Sequence, residues 1–111
     1  MASFADFQKM NSKRCVEAFG HTEENWPSQN WALAIAGEAG ELCNLVKKVL
    51  RGDFSWEQAR QGILYELADV ITYCDLMMTA LGADTETELY QKFNQVSLRV
   101  QWSGFTINHD A

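Results

Sequence analysis

The stretch "ILYELADVITYCDLMMTAL" at positions 63–81 decides the fold. Ile63, Leu67, Val70, Cys74, Met77 and Leu81 recur in it at steps of four and three, with no alternation of period two, which marks one face of a helix and not a strand. Two acids interrupt this apolar run. Glu66 and Asp69 continue through Tyr73 and Leu76 at helical steps, beside the stripe.

Start and stop signals extend the helical reading in both directions. Ser55 and Gln58 have the spacing of a capping box that opens this helix, and Gly82 closes it. Upstream, a helix over about 29–51 is expected, capped by Ser28 and ended by Gly52; its seam reads Ile35, Leu42, Leu45 and Val49. A first helix over about 4–19 opens at Ser3, with Asp6 three positions on, stops at Gly20 and leads into the polar connector "HTEENWP". Thr85 and Glu88 repeat the box and open a fourth helix, with Leu89, Phe93, Val96 and Val100 on one side, fading near Trp102. The pattern predicts an all-α, antiparallel four-helix bundle in a single domain over 1–102. Residues 103–111, "SGFTINHDA", read as a C-terminal tail that needs a partner surface to be ordered.

At 111 residues and 47% hydrophobic, the chain has material for one core. The balance of 9 basic against 15 acidic residues gives a net charge of −6 with no compensating Lys/Arg run, which argues against nucleic-acid backbones and anionic membranes as partners. Cys15, Cys43 and Cys74 are odd in number and lack zinc spacing, so they read as reduced thiols. With neither a leader pattern nor an apolar run of about 18 residues, a soluble, cytoplasmic protein is expected.

The acids are the anomaly. In "GEAGEL" (37–42), Glu38 falls on the seam between Ile35 and Leu42, where an unpaired charge is costly to bury. Glu41 follows about 4.5 Å along the axis and about 60° around it, so both acids share one side of the helix. Glu66 and Asp69 repeat this geometry on the next helix, and the two pairs face one inter-helix space. Four clustered carboxylates repel one another unless a cation neutralises them. Hard oxygen donors favour Mg²⁺, with Mn²⁺ as the alternative. Di-iron bundles use Glu-x-x-His, whereas His21 and His109 fall outside the expected helices. The competing reading puts the acids on solvated faces, paired with Lys47 and Lys48. Gly37 and Gly40, each costing up to about 1 kcal/mol in a helix, imply close approach of a helix or ligand, or simply tight packing.

Phosphates held against such a cation also need cationic contacts. Lys48 lies two turns beyond Glu41, and Lys92 shares a face with Gln95 and Arg99; either is also explained as a surface lysine. Tyr73, one turn after Asp69, is a candidate to stack on a base or bond a sugar, or else a core tyrosine with a satisfied hydroxyl, and Asn30 is either a base contact or a first-turn polar residue. Trp26, Trp31 and Trp56 stand where they would wall a base pocket or serve as core. No Gly-rich phosphate loop or catalytic triad is present.

"GEAGELCNLVKKVLRGD" together with "YELADVITYCDLMM" resembles the MazG-like branch of the all-α nucleoside triphosphate pyrophosphohydrolases, which carry E-x-x-E on one helix and E-x-x-D on the next. Glu38 and Glu41 match the first motif, Glu66 and Asp69 the second, and the similarity spans roughly Asn30 to Arg99. "KFNQVSLR" is similar to the family's Lys/Asn phosphate-contact region at Lys92, while Asn94 falls on nearly the opposite side. The resemblance implies Mg²⁺-dependent cleavage of a nucleoside triphosphate between the α- and β-phosphates, releasing a monophosphate and pyrophosphate, as house-cleaning of non-canonical or surplus deoxynucleotides. It further implies metal binding by the four acids, with Glu41, or else Glu38, taking a proton from water, and a homodimer or homotetramer whose subunits complete the bundle core. The alternative is a non-catalytic helical module for oligomerisation or partner binding.

Overall fold

The computed structural model describes residues 2–104. Their regular structure consists of four helices: α1 (Phe4–Phe19), α2 (Ser28–Arg51), α3 (Trp56–Ala80) and α4 (Thr85–Arg99). No strand occurs among the described residues, and none of the helices is long and apolar enough to cross a membrane. The expected tail lies almost wholly outside the described residues, as does His109.

Local chemistry accounts for the boundaries. Ser3 and Ser55 each accept from the backbone N–H three residues on, while the Asp6 and Gln58 side chains accept from the cap N–H in return, giving two complete capping boxes. Gly20 and Gly52 end α1 and α2 in the left-handed region at φ 69° and 93°, which glycine enters without steric cost.

Two caps differ from the sequence reading. Pro27, and not Ser28, precedes the first turn of α2, because its fixed φ of −65° suits the entry and Ser28 is already helical. At α4 the cap is Asp84, whose carboxylate accepts from the Thr87 N–H at 3.0 Å; Thr85 is the first helical residue. Its hydroxyl has another use, described below.

The helix α3 is the hub. It packs along α2 across the joint 52–55, and α1 and α4 also contact it, whereas α2 and α4 make no close backbone approach. The small core gathers Cys15, Trp31 and Leu76 from α1, α2 and α3, with Trp26, Tyr73, Met77 and Ala80 around it. Val49 and Ala59 are buried towards the other end of the α2–α3 pair.

Much of the expected stripe is on the outside of the chain. Leu67 on α3 and Leu81 just past its end are exposed, as are Leu89 and Phe93 on α4 and Val100 just past its end. Leu64, Leu67 and Ile71 form a bare apolar row on α3. The reason is geometric: only α2 covers α3 along much of its length, so one flank of the hub has no neighbour. The radius of gyration, 16.8 Å, exceeds the roughly 13 Å expected of a compact domain this long.

Candidate metal centre and adjoining cleft

The α2–α3 pairing brings three of the four acids together. One oxygen each from Glu38, Glu66 and Asp69 lie within 4.8 Å of one another. Glu38 and Glu66 are half-buried and Asp69 is exposed, so the group opens to water on one side. Glu41 is exposed and stands outside the trio, although its charge is felt by Glu38. Neither Lys47 nor Lys48 forms an ion pair with any of these acids, whereas Arg51, at the end of the same helix, pairs with Asp53.

Two observations set this group apart from ordinary surface acids. Glu38 Oε2 and Glu66 Oε2 are both out of water and have no hydrogen-bond partner, a costly condition for carboxylate oxygens. The Glu38 carboxyl is also pushed up to about 7, by burial first, then by a shared hydrogen bond with Glu66 and by the charges of Glu41, Asp69 and Glu66. An oxygen-seeking divalent cation would relieve both conditions, since it satisfies the orphan oxygens and replaces repulsion with attraction. The donor set therefore fits Mg²⁺ or Mn²⁺.

Gly37 and Gly40 flank Glu38, and a Cβ built at either would meet nothing within 4 Å. Neither glycine is needed for packing inside this chain. Both leave open space beside the acids. The close approach of α2 and α3 falls instead at Gly62, where an added Cβ would touch Leu45 at 3.4 Å.

On its α1 side, Asp69 borders a cleft of about 210 Å³ whose walls include Trp31, Tyr73, His21 and Arg14. Aromatic contacts build this wall: His21 stacks on Trp26 with ring centroids 3.8 Å apart, and Trp31 lies 5.5 Å from Trp26 and 5.9 Å from Tyr73. Burial raises the Tyr73 hydroxyl, and the charges of Glu38, Asp69 and Glu41 raise it further, so it remains a protonated donor beside the acids. Arg14, held at 5.9 Å from the Phe19 ring, acts on Tyr73 in the opposite sense.

The other expected contacts are spread out. Asn30 is half-buried in the first turn of α2, its N–H donating to the Pro27 carbonyl at 2.9 Å. From Glu38 it is about 12 Å along the helix axis. Lys48 is half-buried, about 10 Å beyond Glu41 along α2. Lys92 donates to Gln95 at 2.9 Å in a shallow groove on α4, away from α2. Trp56 is exposed at the far end of α3 and takes no part in the cleft. Trp26 and Trp31 are the tryptophans that matter here.

The sequence reading missed a second buried acid. Asp75 is 0% exposed, accepting from Asn11 Nδ2 at 2.9 Å and from the Thr85 hydroxyl at 2.5 Å. Beside it, Gln8 donates to Thr79 Oγ1 and the Ala83 carbonyl and accepts from the Thr85 N–H. Together these bonds tie α1, α3 and the start of α4. The signal was present: Asp75 stands in "YCDLMM" as a lone acid among apolar residues, and Gln8, Asn11 and Cys15 follow one another at helical steps.

Comparison of the chain with family models, curated proteins and solved structures finds no match in any of the three.

Proposed function

We propose that this protein is a Mg²⁺-dependent nucleoside triphosphate pyrophosphohydrolase of the MazG-like kind, converting a (deoxy)nucleoside triphosphate to its monophosphate and pyrophosphate. The observation that carries this reading is the convergence of Glu38, Glu66 and Asp69 with two buried, partnerless oxygens, next to an aromatic-walled cleft that shares Asp69. A cation site beside a flat apolar slot suits a molecule with charged phosphates at one end and a planar ring at the other.

In this scheme Glu38, Glu66 and Asp69 hold the cation, whose chemistry is to acidify water and offset phosphate charge. Glu41, outside the trio and facing solvent, takes the proton from the attacking water. Tyr73 donates its hydroxyl towards the sugar or phosphate while its ring lines the slot. Arg14, absent from the sequence reading, is placed to neutralise phosphate oxygens across the cleft from Asp69. Asn30 and Lys48 remain secondary contacts on α2. Lys92 stands on a helix remote from the acids in its own chain, so its contribution requires a second subunit.

Association of identical chains belongs to the same proposal. The bare row Leu64, Leu67 and Ile71 and the exposed Leu89, Phe93 and Val100 are apolar faces that water disfavours, and a homodimer or homotetramer would cover them. Those faces alone also favour a second reading, a helical association module without catalysis. Incubation with a nucleotide panel and Mg²⁺, with pyrophosphate and orthophosphate measured separately, decides between the two. Pyrophosphate release supports the enzyme; release of neither product from any nucleotide leaves the association module.

A further inference from the structure

One flank of α2 has no neighbour, and charge is sorted along its length. Among the described residues α2 packs against α3 and no other helix. At about 100° per residue, Leu33, Gly37, Gly40, Asn44 and Arg51 fall within one arc of about 60°. All five are exposed, Leu33 to 70%. The glycines stand at the middle of this flank, where an added Cβ would meet nothing. Each costs the helix up to about 1 kcal/mol relative to alanine, and no contact inside the chain offsets it. From Cys15 to Val46 the chain has five acids and no lysine or arginine, whereas from Lys47 to Arg60 it has four basic residues against two acids. Glu23 and Glu24 are exposed just before α2, and Lys47 and Arg51 are exposed at its end.

From this arrangement we infer that α2 pairs antiparallel with α2 of a second copy along the bare flank, which sets Lys48 of that copy at the mouth of the first copy's cleft. A twofold interface makes every contact twice, so Gly37 meets Gly40 and Leu33 meets Asn44 in both directions. With no Cβ at the crossing, the backbones can come as close as the about 8–10 Å usual for packed helices, or closer. The same register sets Lys47 and Lys48 against Asn30 and Gln29, and Arg51 beside the connector that carries Glu23 and Glu24. Basic end then lies on acidic start in both copies, whereas a parallel pair would set like charge on like. Asn30, Glu41 and Lys48 border the flank on the side that leads round to Glu38 and Trp31, and the twofold rotation keeps that side common to both copies. Helical side chains lean towards their own N-terminus, which for Lys48 of the second copy is the direction from Asn30 to Glu38 of the first. Its ammonium is thereby aimed at phosphates lying between cleft and acids, where Arg14 is the one cationic side chain of the chain's own cleft wall. This use of Lys48 deepens the nucleotide reading above and rests on it; the pairing itself stands on shape and charge.

Sedimentation of the full chain, without metal or nucleotide, tests the pairing separately from the cleavage chemistry. Gly37→Leu combined with Gly40→Leu puts bulk into the crossing, where the chain itself leaves open space. Helix content by circular dichroism is expected to persist while the assembly falls to half its mass, its dissociation constant raised at least about tenfold. Glu23→Lys with Glu24→Lys, and separately Lys47→Glu with Lys48→Glu, are each expected to weaken the assembly, and the fourfold variant to regain it. A monomeric wild-type chain, an unchanged mass in the glycine variant, or charge reversals that fail to restore each other would each overturn the inference. The charge reversals decide alone if the glycine variant does not fold. An equal mixture of Lys48→Ala and Glu66→Gln, left to exchange subunits, is expected to release pyrophosphate at up to about a quarter of the wild-type rate, above either variant alone; no gain on mixing would return Lys48 to its own chain's site and overturn its role in the second copy. Pairing without pyrophosphate release from any nucleotide would uphold the seam and remove the enzyme reading; pyrophosphate release by a chain whose mass the glycine and charge variants leave unchanged would do the reverse.

Discussion

The helix α3 carries acids in two settings, which look alike in sequence and differ physically. Near its C-terminal end Asp75 is sealed from water, with Asn11 and Thr85 donating to its two oxygens. Two turns earlier, Glu66 and Asp69 meet Glu38, where one oxygen of each glutamate is out of water without a hydrogen-bond partner, and burial first, then a hydrogen bond shared with Glu66 and the neighbouring charges, favours a proton on Glu38. The first set is completed by the protein itself. On the proposed reading, a cation from outside completes the second. Satisfaction of the oxygens, and not burial alone, therefore separates a structural acid from one assigned to a ligand.

Breaking the first set should cost the most stability. Asp75→Ala strands the Asn11 amide and the Thr85 hydroxyl, and a loss of about 2–5 kcal/mol is expected by urea denaturation. The reverse is expected of the second set. Glu66→Gln or Asp69→Asn should lower pyrophosphate release by about a hundredfold or more, while the metal-free midpoint of unfolding stays level or rises because repulsion is relieved. A clear loss of metal-free stability in those variants would place both sets in the structural class.

The pH response sharpens the contrast further. Without metal, Glu38 titrates near 7 in place of the ordinary glutamate value of 4.5, so the fold favours its protonated form. That contribution is fully present below about 4.5 and is lost as pH rises through about 7, so metal-free stability should decline across this interval. Glu38→Gln should flatten the decline, and saturating Mg²⁺ should reverse it by favouring the charged carboxylate. A decline of equal size in Glu38→Gln would assign it to other groups. The smallest effect is expected at Thr85, where Thr85→Ser keeps the hydroxyl and Thr85→Ala loses about 1 kcal/mol. Equal losses in the two would show that the methyl group, and not the hydrogen bond to Asp75, stabilises the start of α4.

Helix count, order and the caps at Ser3 and Ser55 were legible from periodicity and cap spacing, because those signals are local. Glu38 was legible for a similar reason, since an acid on an apolar seam violates the pattern that defines the helix, and Glu66 and Asp69 because they repeat its paired spacing on the next helix. What stayed hidden depended on packing between helices. Thr85 read as a cap because Thr-x-x-Glu has that spacing, yet Asp84 caps α4 and frees the Thr85 hydroxyl for Asp75. Leu67, Leu81 and Phe93 read as core because periodicity reports an apolar face without naming what covers it. Arg14 and Asn11 escaped notice because a cleft between α1 and α3 has no signature in either segment alone.

The most direct test is calorimetric titration of the metal-free chain with Mg²⁺ and with Mn²⁺, repeated in the presence of a nucleoside triphosphate. Saturable uptake that is lost in both Glu38→Gln and Glu66→Gln is the expected result. Absence of uptake under all conditions, or uptake that both variants retain in full, would contradict the assignment of these carboxylates to a cation.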